Sequence, residues 1–134
     1  MSNIRRQYTP HINSNDCWAL VLSRVSNRNY NDIYNQMRGL GYADDTGFKN
    51  KYLDGVLSNY RYIPVYLPAS KEKLVIRDIL TMFYNKQVVI GSLNMEKGLP
   101  HLSYAHRGVD YTTSETDLSM DDPVIYIWVR QWNA

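Results

Sequence analysis

The sequence predicts an α+β domain in which N-terminal helices pack on a C-terminal, mostly antiparallel sheet. Three observations carry this expectation. Helical periodicity dominates the first half of the chain, β-branched and aromatic runs crowd the last third, and those runs follow one another through hairpin-like connections.

Residues 1 to 12 read as extended and irregular. Asn13-Ser14-Asn15-Asp16 then offers a choice of N-cap side chains, so a helix starts beside Cys17. Cys17, Leu20, Val21, Arg24 and Val25 share one face of it, with the apolar members turned to a core. Asn27-Arg28-Asn29 ends it. A second helix, about Tyr30 to Arg38, carries Ile33, Tyr34 and Met37 on one side and stops at Gly39-Leu40-Gly41. Asp44-Asp45-Thr46-Gly47 reads as a loop, and Phe48 to Leu57 as a third helix through Tyr52, Leu53, Val56 and Leu57. Arg61 to Leu67 is rich in Tyr, Ile and Val but holds Pro64, which cannot donate to a ladder, so it reads as an edge strand. Ser70 can cap a fourth helix from Lys71 to about Tyr84, whose apolar side is Leu74, Ile76, Ile79, Leu80 and Phe83. Gln87 to Leu93 is a buried strand, Asn94 to Pro100 a loop, and His101 to Arg107 a strand that turns near Gly108 and returns from Val109. Val124 to Trp132 closes the chain as a last strand.

With 134 residues, 15.7 kDa and no repeat or linker, residues 1–134 are expected to form one domain. A hydrophobic share of 44% against 21% charged is the balance of a globular chain. Fifteen Lys and Arg against thirteen Asp and Glu leave +2, too little for the electrostatic footprint of a nucleic-acid binder or an anionic membrane surface. A single cysteine rules out an internal disulfide or a Cys-ligated zinc module, and the expected compartment is reducing and cytoplasmic. No signal peptide or membrane span is visible, so no membrane partner is expected. No metal is expected either, because no His pair stands at ligand spacing and Asp44-Asp45 with Gly47 lacks a calcium-loop pattern. Gly39-Leu40-Gly41 lacks the residues of a phosphate cradle, and no cofactor is expected.

Cys17 is the residue that suggests chemistry. In the first turn of a helix, the dipole and unpaired backbone N–H groups favour a thiolate and lower its pKa. The competing reading makes Cys17 a small buried hydrophobe on the stripe with Leu20 and Val21. A nucleophilic thiol needs a histidine. His11 lies six residues earlier, and His101 and His106, five apart on one strand, face opposite sides of it. His101, at the strand's start, is the better candidate, whereas His106 sits beside the turn.

Asn15-Asp16-Cys17-Trp18-Ala19-Leu20, followed about 80 residues later by a histidine opening a strand, resembles papain-like cysteine peptidases. It is closest to the small papain-like proteins encoded by tailed phages, whose late strand reads His, alternating small and apolar residues, then Gly-Val. His101-Leu102-Ser103-Tyr104-Ala105-His106-Arg107-Gly108-Val109 looks like that element. The resemblance spans roughly residues 13 to 115. It implies a thiol hydrolase cleaving a peptide or amide bond, with Cys17 as nucleophile, His101 as general base and backbone N–H groups at the helix start as oxyanion donors. The family's glutamine six residues before the nucleophile is His11 here, with Asn13 and Asn15 as substitute donors. The group that orients the histidine stays open. The phage pattern puts it at Thr112, which is not an acid. Asp110 falls on the same face but on the order of 13 Å away at about 3.4 Å per residue, and Asp117, sixteen residues after His101, fits the looser papain spacing and is preferred. The implied partners are a peptide or protein substrate, in the host cytoplasm for a phage-encoded chain. The rival reading is a catalytically inactive papain-fold protein that grips a host protein, for which twelve Tyr and residues such as Trp128 and Trp132 would suit the interface.

Overall fold

A computed structural model describes residues 4–10, 16–66, 73–113 and 119–131. The chain runs β1 (Arg5–Tyr8), α1 (Cys17–Ser26), α2 (Tyr30–Gly39), β2 (Ala43–Asp44), β3 (Gly47–Phe48), α3 (Asn50–Asn59), β4 (Tyr62–Val65), α4 (Ile76–Met82), β5 (Val88–Asn94), β6 (Leu99–His106), β7 (Val109–Thr112) and β8 (Val124–Arg130). Six strands form one sheet in the order β1-β7-β6-β5-β8-β4, and β2 and β3 form a separate small hairpin. Every pairing is antiparallel except that of β1 with β7. The α+β class and the mostly antiparallel sheet are as the sequence predicts.

Because side chains alternate along a strand, the sheet builds two cores. Val89 pairs with Tyr104 on one side and Trp128 on the other, and these three face α1, α2 and α3 through Trp18, Leu22, Ile33 and Leu57. Val88, Ile90, Ala105, Ile127 and Val129 face the other way, onto Ile76, Ile79 and Leu80 of α4. Leu22, Ile33, Leu57 and Ile79 are fully buried, each worth about 1.5–3 kcal/mol in removed apolar surface.

Local chemistry sets the ends. Asn27 closes α1 in the left-handed region at φ 56°, its N–H on Ser23 O, and the Asn29 side chain caps α2 by accepting from Asn31 N at 2.9 Å. Arg107 (φ 52°) and Gly108 (φ 81°) are both positive, which is the backbone of a type I′ hairpin, and it fixes His106 opposite Val109 and Ala105 opposite Asp110. Pro64 lies in β4, at the sheet's edge, opposite Trp128.

Four expectations are corrected. The N-terminal stretch is not irregular throughout: Arg5–Tyr8 is an edge strand that pairs in parallel with β7. The fourth helix starts at Ile76 rather than Lys71, because Val75 N–H donates to Asp78 Oδ2 at 2.9 Å and Val75 bridges Pro123; Ser70 lies outside the described residues. The third starts at Asn50, since Gly47–Phe48 is spent on the small hairpin with Ala43–Asp44. Asp16 stands at the N-cap of α1 without capping it, its Oδ2 accepting instead from Tyr30 Oη at 2.8 Å and so tying the starts of α1 and α2 together.

Candidate active site

Strand β6 outruns its neighbour: only Tyr104, Ala105 and His106 pair with β7. α1 packs on β6 and β7 with Cys17 as its first residue, and the backbone N–H of Leu102 is in hydrogen-bond reach of the Cys17 sulfur. That N–H belongs to the peptide bond joining His101 to Leu102. The sulfur therefore rests against the backbone that carries the imidazole, although helix and strand are about 80 residues apart in the chain. No hydrogen bond joins Sγ to the imidazole among the described residues.

Helix-start placement does not lower this thiol's pKa. Burial pushes it up from its ordinary 9.0, and the Asp16 carboxylate adds to the rise, against the N–H groups of Leu102, Trp18 and Cys17 itself. The expectation from the dipole is thus overturned: a helix terminus is worth about 0.3–1 kcal/mol near the surface, and desolvation of the half-buried Cys17 thiolate exceeds it.

His101 pairs across β5 with Ser92 and turns its side chain to the α4 side of the sheet. Its Nε2 is hydrogen-bonded to the Thr112 hydroxyl, in the hairpin geometry that brings these two residues to one face. Burial, the Arg6 guanidinium and Lys97 hold the imidazole down at about 4, so it is neutral at physiological pH. Thr112, not Asp110, touches His101.

Asp110 belongs to a buried ion network instead. Arg6 of β1 lies opposite it, with Nε 2.6 Å from Asp110 Oδ2 and Nη1 3.1 Å from Asp122 Oδ2 and 2.8 Å from Ser119 O. Both Arg6 and Asp110 have side chains at most 1% exposed. Burial raises the Asp110 carboxyl and Asp122 adds to the rise, while Arg6 and the Ser103 hydroxyl pull it back.

Of the residues expected from sequence, the structure brings Cys17 beside the backbone of His101, and His101 onto Thr112. His11, Asn13, Asn15 and Asp117 lie outside the described residues. His106 sits at the far end of β6, its pKa lowered by burial and by Arg107. Sequence reasoning missed Arg6, which nothing local marks, because its partners are more than a hundred residues away. No metal-binding cluster of His, Cys, Asp or Glu occurs among the described residues. No described helix is long and apolar enough to cross a membrane. Comparisons with protein-family models, curated proteins and solved structures find no match.

Proposed function

We propose that this chain is a papain-like thiol hydrolase acting on a peptide or amide bond. The observation that supports the reading most is the seat of the Cys17 sulfur, in the first turn of α1 against the His101–Leu102 peptide, with Nε2 of His101 tied to Thr112. With Nε2–H donated to the Thr112 hydroxyl, Nδ1 keeps a lone pair to act as base. Thiol and imidazole are both neutral at rest. The imidazole rests on the α4 side of the sheet and α1 packs on the other, so the reaction requires His101 to turn toward α1; attack of Sγ on the carbonyl carbon then passes the thiol proton to Nδ1, and the backbone N–H of Cys17 receives the oxyanion. Collapse breaks the C–N bond, and the imidazolium hands its proton to the leaving amine. Water, deprotonated by His101, then cleaves the thioester to free acid and thiol.

The rival is a papain-fold protein that binds a partner and does no chemistry. The observation in its favour is that burial moves Cys17 and His101 in opposite directions, both toward neutrality and away from an ion pair. Alkylation by a cysteine-directed electrophile across pH separates the two. A hydrolase shows base-assisted labelling that rises with an acid limb near pH 4 and holds a plateau through neutrality, and His101→Ala loses that plateau. If parent and variant both label only as the thiol itself ionises, above pH 9, the binding protein stands.

A further inference from the structure

At the end of α1 remote from Cys17, two neighbouring cavities of about 520 Å³ each share Arg24, Asn27 and Gln87. A ten-residue helix is about 15 Å long, and neither cavity is lined by Cys17 or His101. One receives Arg61 and Arg130, the other Arg28 and His106, and no Asp or Glu lines either among the described residues.

Arg24, Arg28 and Arg130 are held differently from the arginines that meet carboxylates. Arg6, Arg38 and Arg77 each meet a carboxylate. Arg24 instead stacks over the Tyr111 ring, 4.1 Å from its centroid, while Arg130 donates to the Gln87 amide at 2.6 Å and Arg28 to the amide of Gln36. Their positions are fixed and their charges are not neutralised by these partners. Gln87 is itself anchored, donating to Tyr104 Oη at 2.9 Å. Arg61 adds an independent sign. It sits at φ 68°, a conformation that costs a side-chain-bearing residue about 1–2 kcal/mol and that glycine or asparagine would take more readily. A helix C-terminus explains a basic residue at Arg24, but not arginines arriving from the turn before β4 and from the end of β8.

We propose that this groove is a second site, which binds a small phosphorylated ligand through Arg24, Arg28, Arg61 and Arg130. A guanidinium fork matches phosphoryl oxygens in pairs, and three arginines on one cavity with two on its neighbour, Arg24 being common to both, suit a ligand with more than one negative charge. Tyr30, Tyr60 and Tyr111 line the same cavities and give the uncharged part of the ligand an aromatic surface. The site is independent of the thiol chemistry and stands if that chemistry fails.

Thermal unfolding at constant ionic strength tests it, with pyrophosphate, ATP, adenosine and a single-stranded oligonucleotide as probes. Pyrophosphate or ATP at about a hundredfold excess over its Kd raises Tm by roughly 5–10 °C, and adenosine does not. A response to ATP alone assigns the ligand as a nucleotide, and a response to both assigns the phosphoryl groups as sufficient. Arg130→Gln and Arg28→Gln, at exposed residues bonded to neutral amides, each lower affinity at least tenfold, and Arg130→Lys lowers it less. Histidine NMR resonances locate the ligand: His106 moves and His101 does not. The proposal is overturned if sodium chloride gives the same Tm shift, if Arg130→Gln and Arg28→Gln leave affinity unchanged, if His101 moves in place of His106, or if the oligonucleotide binds more tightly than every small probe.

Discussion

Arg6 and Arg130 are the same residue in two opposite settings. Arg6 is 1% exposed between Asp110 and Asp122, while Arg130 is exposed and leans on a glutamine amide at the far end of the sheet. A charge removed from water needs countercharge at hydrogen-bond distance, so the buried arginine is bound into the fold by its carboxylates. A charge left at the surface can be held in place by neutral partners and still meet an anion. Burial therefore sorts these arginines into structural and recognition roles, and residue type does not.

The largest expected effect tests the buried half. Asp110→Ala removes one of the carboxylates that Arg6 meets in a desolvated site, and should cost about 3–5 kcal/mol by urea denaturation. A loss below 1 kcal/mol would mean that Arg6 reaches water, and the contrast with Arg130 would vanish. Next comes pH. His101 falls from 6.5 when unfolded to about 4 when folded, so between those values the unfolded chain binds more protons and stability rises with pH. This contribution is fully present above pH 6.5 and lost by pH 4, a change of roughly 3 kcal/mol. Asp110, raised by burial, works in the opposite sense near its own titration, so the measurement is the difference between the parent and His101→Gln across that window. A flat difference would show an exposed imidazole.

What the sequence made legible was whatever local chemistry decides. The Arg107-Gly108 turn follows from glycine's tolerance of positive φ, and its register puts Thr112 on the His101 face. The Cys17 helix followed from apolar spacing. What stayed hidden depends on distant partners. Arg5–Tyr8 has no alternating pattern, and is a strand because β7 offers it an edge about a hundred residues on. The direction of the thiol shift could not come from the helix end alone, since Leu102, Asp16 and the packing around the sulfur all enter it. Preference for Asp117 as the orienting group rested on spacing to a loop, whereas the hydrogen bond at His101 goes to the neighbouring strand.

Thr112→Val is a smaller perturbation in the buried half. It keeps the shape and removes the hydroxyl from a fully buried residue, leaving His101 Nε2 without its partner. The expected cost is about 1–3 kcal/mol, and the plateau of base-assisted alkylation should shift with it, because the Thr112 bond fixes where the imidazole stands. A stability loss with an unchanged plateau would make Thr112 a packing residue and detach the hairpin from the chemistry.

The smallest expected effect lies in the exposed half, and it is the sharpest check on the comparison. Arg28 is exposed and its bonded partner is the neutral amide of Gln36, so Arg28→Gln removes a positive charge without stranding a negative one. Surface substitutions of this kind fall within about 0.5 kcal/mol. The change is expected to be neutral or slightly stabilising, because Arg24 lines the same cavity and carries the same charge. Stabilisation in the free protein combined with weaker anion binding would be the signature of a residue kept for recognition. Marked destabilisation would place Arg28 with Arg6, as a charge the fold itself requires.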